Sequence, residues 1–130
     1  YMQHVGPDLQ HLVLAGSDAM LMPSRFEPCG YTHMEGMIYG AIPIVHHVGG
    51  LRDTVVPFDG ANGYGIIIKE LSPEEIRRTL IEARNAFRIK EKWRLAVANA
   101  MRQDFSWDGP RDSVGKYLNL YERAIAKRVA

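Results

Sequence analysis

Three short apolar runs, Ala19–Met22, Ala41–His46 and Tyr64–Ile68, alternate with segments of helical character, and this alternation limits the possible folds more than any other feature. Ala19–Met22, ended by Pro23, has the unbroken apolar character of a buried parallel strand. Asp8–Ala15 reads as a short helix stopped by Gly16, and Thr32–Tyr39 as a helix ended by Gly40, the residue type expected just past a helix. Gly49 and Gly50 make a turn after the second run, and Leu51–Val56 reads as another short helix. Strand, helix, strand, helix, strand predicts an α/β fold with a parallel sheet and covering helices. A whole sheet of the dinucleotide-binding type has about six strands. Three are visible from Tyr1 onward, so the first half of the domain is expected upstream of this chain.

The remainder reads as helical. Ser72-Pro73-Glu74-Glu75 is a start signal, with Ser72 as cap, Pro73 in the first position and Glu75 completing a capping box. Ile76, Leu80, Ala83 and Phe87 then mark one face of a helix. Trp93, Ala96, Val97, Ala100 and Met101 mark the face of a second, which Phe105-Ser106-Trp107 breaks. Asp108 and Pro110 are expected to start a last helix with Val114, Tyr117, Leu118, Tyr121 and Ile125 turned inward.

Composition narrows the function. The chain has 16 Lys plus Arg against 15 Asp plus Glu, without the basic excess of a phosphate-backbone binder, so nucleic acid is not an expected partner. The charges between Arg77 and Lys92 read as a solvated helix surface. No run approaches the ~18 apolar residues of a membrane span. The single cysteine, Cys29, excludes an internal disulfide and points to a reducing compartment.

In open parallel sheets, ligands bind beyond the carboxyl ends of the strands. Ser24–Thr32 and His46–Arg52 both occupy that edge and combine glycine with polar side chains. The amides of Gly30, Tyr31 and Thr32, with the Thr32 hydroxyl, form a candidate diphosphate cradle at a helix amino terminus. Glu27 in the loop and Glu35 about one helical turn in flank the cradle, and a carboxylate accepts hydrogen bonds from vicinal hydroxyls. One would hold a hexose and the other a ribose diol. The competing reading makes Glu35 a favourable charge at the positive end of its helix and Glu27 a solvated loop residue.

The run Pro23-Ser24-Arg25-Phe26-Glu27-Pro28-Cys29-Gly30 resembles the segment carried by bacterial glycogen synthases and plant starch synthases. The resemblance continues through Tyr39-Gly40-Ala41-Ile42-Pro43-Ile44-Val45, Gly49-Gly50-Leu51-Arg52-Asp53-Thr54-Val55, Asn62-Gly63-Tyr64-Gly65 and Phe105-Ser106-Trp107. It implies a GT-B glycosyltransferase of two facing Rossmann-like halves. Residues 1–130 would be the carboxyl-terminal portion of the donor-binding half, with 109–130 as a helix crossing back to the amino-terminal domain. The reaction implied is glucosyl transfer, with retention, from ADP-glucose or alternatively UDP-glucose to the non-reducing end of an α-1,4-glucan. Glu27 would contact the donor glucose as the catalytic carboxylate. Gly30, Tyr31 and Thr32 would hold the diphosphate, and Glu35 the ribose. Cys29, Gly49 and Gly50 would shape the loop beside the sugar.

The resemblance implies no metal and no cofactor beyond the donor. It places an arginine and a lysine that neutralise the diphosphate, and a histidine near the sugar, in segments this chain does not match. The chain is therefore expected to supply donor binding and not to catalyse alone. The location implied is the cytoplasm for a bacterial protein and the plastid for a plant or algal one.

The sequence departs from the usual synthase pattern at Glu35, often tyrosine, at His33, usually glutamine, and at His46-His47-Val48. These departures keep open a retaining transferase with another acceptor, or a non-catalytic nucleotide-sugar-binding module. His46 and His47, adjacent in a strand, point to opposite faces and so do not chelate one ion together. Cys29 near a helix start is a candidate nucleophile, but no motif supplies a base for it, and it reads as a small residue lining the site. Trp93 and Trp107 fit helix packing rather than a sugar platform.

Overall fold

The structure, a computed structural model, describes residues 6–129. Residues 1–5 and 130, included in the expected domain and last helix, lie outside the described residues. The elements are α1 (Pro7–Ala15), β1 (Ala19–Met22), α2 (Tyr31–Ile38), β2 (Ile42–His46), α3 (Gly50–Thr54), β3 (Ile66–Ile68), α4 (Pro73–Arg88), α5 (Lys90–Met101) and α6 (Ser113–Val129). The three strands form one parallel sheet in the order β1-β2-β3. This is the α/β architecture that the alternating runs predict.

β2 lies in the middle, and its residues Ile42, Ile44 and Val45 are buried as the unbroken apolar run requires. Its side chains alternate between two layers. Ile42 packs with Met37 of α2 and with Trp93, Ala96 and Ala100 of α5. Ile44 packs with Ile68 and with Ala83 of α4. Val45 turns the other way, toward Leu51 and Val55 around α3. A parallel sheet with helices on both faces is thus assembled around one strand.

Ser72 caps α4, accepting the Glu75 amide at 3.2 Å. The capping box is not completed as expected. The Ser72 amide already donates to the Glu70 carbonyl, and the Glu75 carboxylate accepts from the Lys69 amide and from Arg78. The expected inward faces also need correcting. Thr79, not Leu80, is the fully buried residue on α4, and Met101 at the end of α5 is exposed. Trp93 is buried, with its ring edge-on to Phe87 at 5.2 Å.

The last helix differs most. It starts at Ser113, later than Asp108 or Pro110, where the Asp112 carboxylate accepts the Gly115 amide at 3.0 Å. Val114, Tyr117, Leu118, Tyr121 and Ile125 form a continuous stripe, but each is at least 41% exposed. The helical periodicity is real; its covering layer is absent among the described residues, where α6 packs extensively against no other element. Trp107 likewise packs into no core and instead stacks on Tyr117 with ring centroids 5.5 Å apart.

Candidate functional site

Met22 pairs with Val45 in the parallel register, so β1 and β2 end side by side and their following loops leave the same sheet edge. The two loops are bonded through their backbones. The Gly50 amide donates to the Glu27 carbonyl at 2.9 Å, and the His46 Nδ1 lies 2.8 Å from the Ser24 carbonyl oxygen. Glycine is required at both positions of the turn. Gly49 sits at φ 48°, ψ −134°, and a Cβ there would collide with the Glu27 carbonyl. A Cβ on Gly50 would lie 2.6 Å from Cys29 Cα. Cys29, Gly49 and Gly50 therefore lie side by side, and Cys29 is exposed.

Gly30 caps α2 in the left-handed conformation at φ 81°. Its amide donates to Glu27 Oε1 at 3.0 Å, and the Ser24 hydroxyl donates to Glu27 Oε2 at 3.3 Å. Two of the expected donor contacts, the Glu27 carboxylate and the Gly30 amide, therefore satisfy each other here. The amides of Tyr31 and Thr32 have no acceptor among the described residues, as befits the first turn of a helix, and both residues are exposed. They leave unpaired amide donors exposed at the positive end of α2. Glu35 is half-buried one turn further on, where it accepts from Gln10 Nε2 of α1 at 2.7 Å.

His33 and Thr54 join the site although sequence reasoning assigned them no role. His33 is 0% exposed, with Nε2 2.8 Å from Thr54 Oγ1. The Thr54 hydroxyl donates to the Gly50 carbonyl at 2.6 Å. Burial, the largest influence, lowers the His33 pKa from its ordinary 6.5 to about 4. A signal was available: His33 and the buried Met37 are spaced i, i+4, which sets the ring on the inward face of α2. The carboxyl end of α3 is fastened as well, with Tyr64 donating to the Thr54 carbonyl at 2.7 Å and Arg111 to that of Asp53 at 3.2 Å.

His46 and His47 engage separate carbonyls, of Ser24 and Val55, and do not converge. Among the described residues no three His, Cys, Asp or Glu side chains are grouped to hold a metal. A cleft of about 460 Å³ lies between β3 and the α4–α5 pair, lined in part by Phe58, Ile66, Ala86 and Trp93, and shares no residue with the two loops.

The sequence matches the family model described as "Glycosyl transferases group 1" over residues 2–98. It is 45% identical over 129 residues to a glycogen synthase of Elusimicrobium minutum, covering 98% of this chain and 26% of that protein. It is 43% identical over 122 residues to the chloroplastic/amyloplastic soluble starch synthase 2-2 of Oryza sativa subsp. japonica, covering 92% and 17%. The chain thus spans about a quarter or less of the length of these relatives. The fold superposes on the catalytic domain of starch synthase IV from Arabidopsis thaliana, bound to ADP and acarbose, with a TM-score of 0.84 and 34% identity, over 95% of this chain and 26% of that one. The parallel sheet, its covering helices and this likeness place the chain within a GT-B glycosyltransferase domain. With three-quarters of its length inside the family model, the chain belongs to the group 1 glycosyl transferases.

Proposed function

We propose that this chain is the donor-binding part of a glucan synthase, transferring glucose with retention from ADP-glucose, in preference to UDP-glucose, to the non-reducing end of an α-1,4-glucan. The observation that carries the reading is the backbone contact between the Glu27–Gly30 loop and the Gly49–Gly50 turn beside the open amides of Tyr31 and Thr32. A solved structure with this fold, starch synthase IV, is itself bound to ADP and acarbose, which favours an adenine nucleotide.

In this reading the amides of Tyr31 and Thr32 and the Thr32 hydroxyl receive the diphosphate, and Glu35 receives the ribose diol. A phosphate oxygen that takes the Gly30 amide displaces Glu27 Oε1, and the freed carboxylate then serves the donor glucose. Cys29, Gly49 and Gly50 wall the sugar. Preorganised amides aimed at the diphosphate stabilise its growing charge as the glycosidic bond breaks, the largest contribution such a site can make. The cationic groups would come from a segment of the same enzyme that this chain does not match, and the acceptor face from its amino-terminal domain. Residues 1–130 are then the carboxyl-terminal portion of the donor-binding domain, and the segment 109–130 crosses to that partner. The exposed apolar stripe of α6 supports this arrangement. The protein would work in the cytoplasm of a bacterium or in a plastid. Among the described residues no helix is long and apolar enough to cross a membrane.

The test is a titration of this chain with ADP, UDP and ADP-glucose, followed by ligand-observed NMR. Selective ADP binding, weakened by both Glu35→Ala and Thr32→Val, is the expected result. Equal binding of ADP and UDP overturns the adenine preference. Failure of every nucleotide to bind a folded chain removes the donor site from these residues.

A further inference from the structure

The His33 ring lies between two pieces of backbone that the donor-site reading needs in register. A Cβ on Gly30 would sit 2.7 Å from His33 Nδ1 and 2.7 Å from Leu51 Cδ2, so the ring fills the space directly beside the α2 cap and against α3. Its Nε2 meets the Thr54 hydroxyl, which reaches back one turn to the Gly50 carbonyl at 2.6 Å. That hydroxyl has one proton, committed to Gly50, so its oxygen accepts from the ring and Nε2 carries the imidazole proton. Nδ1 is left as a buried lone pair with no hydrogen-bond partner. A structural filler on an apolar helix face needs no such two-step link. Met37, one turn along α2, fills its space with hydrocarbon and sulfur alone.

We propose that His33 is a positioning residue: through Thr54 it fixes the Gly49–Gly50 turn against the amino terminus of α2, so that the sugar loop and the phosphate cradle keep one geometry. This rests on the donor-site reading for its functional consequence but not for the link itself. The same turn is held from its other side by the Gly50 amide on the Glu27 carbonyl. Releasing Thr54 therefore removes the side-chain tie on the Gly50 carbonyl and loosens the loop facing the sugar from the helix facing the phosphates.

The experiment compares the chain with His33→Leu, His33→Gln, Thr54→Val and the His33→Leu/Thr54→Val double variant. Leucine keeps bulk without a donor, whereas glutamine places an amide N–H where Nε2 stood. Imidazole nitrogen NMR at neutral pH is expected to show a proton on Nε2 and none on Nδ1. Exchange of the Gly50 amide is expected to quicken in His33→Leu and Thr54→Val and to stay near the original rate in His33→Gln. ADP affinity is expected to fall about tenfold in each of the first two, the equivalent of one buried hydrogen bond. The double variant should be no weaker than the weaker single one, and His33→Gln should bind within about twofold of the original, since coupled groups fail together. A ring protonated on Nδ1, unchanged Gly50 exchange in folded His33→Leu, or additive losses in the double variant would overturn the proposal. Should His33→Leu fail to fold, Thr54→Val alone decides through the same exchange and affinity readings. Absence of ADP binding by the unsubstituted chain refutes the donor site, while the nitrogen spectrum and Gly50 exchange still decide the link.

Discussion

A histidine that meets no solvent must shed its proton to fold, and His33 is 0% exposed. Its burial outweighs the Gly30 backbone and the charge of Glu27, both of which favour the imidazolium, and is reinforced by Arg111, leaving a folded-state pKa of about 4 against 6.5. The unfolded chain therefore binds this proton first as pH falls. The contribution is complete above the unfolded pKa and is lost progressively as pH drops from 6.5 toward 4. Between pH 7 and pH 5 the original chain should lose about 2 kcal/mol more stability than His33→Gln, which has no ring to titrate. Urea denaturation of both proteins at the two pH values measures this difference, because carboxylates common to both cancel. Equal losses would mean that the ring is solvated. The same residue marks where the site was hard to read in the sequence. The neighbourhood of Glu27, Gly30 and the two glycines of the turn was legible because loop chemistry and family resemblance coincide there, whereas the bond of Glu35 to Gln10 was not. His33 and Thr54 were not, because their roles depend on α2 and α3 packing together, which local spacing does not state.

At the scale of elements, a helix end shows what local chemistry determines by itself. Ser72 accepts the Glu75 amide, Pro73 follows it, and Glu74 and Glu75 stand in the first turn of α4. Replacing Ser72 by alanine should cost about 1 kcal/mol, while aspartate in its place should cost little, since either oxygen can accept the same orphan amide. The urea midpoints of the two variants test this, and equal losses would show that the proline alone sets the helix start. Such signals made the elements readable. β1 falls at its predicted residues, while α2 and α3 each begin one residue early. Burial within the helices was read less well. Leu80 and Met101 have the right period, yet both are exposed, and Thr79 takes the fully buried place on α4. Periodicity gives the existence of an apolar face; the element that covers it decides which residues are sealed.

The molecule as a whole has two kinds of apolar surface. Around β2 both faces are closed by helices, and residues such as Ile42, Val45 and Ile68 are sealed. Along α6, Leu118, Tyr121 and Ile125 are more than half exposed. Burial is what converts apolar area into stability, at roughly 25 cal/mol per Å² removed from water. Exposed area contributes nothing to folding and promotes association instead. The double substitution Leu118→Glu/Ile125→Glu should therefore leave the unfolding free energy of this chain within about 0.5 kcal/mol. It should also lower self-association, because it breaks a continuous stripe with charge. Urea denaturation and sedimentation velocity on the same samples measure both effects. A loss of several kcal/mol would mean that α6 folds back onto the sheet in solution. Unchanged stability with reduced association would mean that the helix is held in reserve for a surface outside these residues, as the crossing proposed for the segment 109–130 requires.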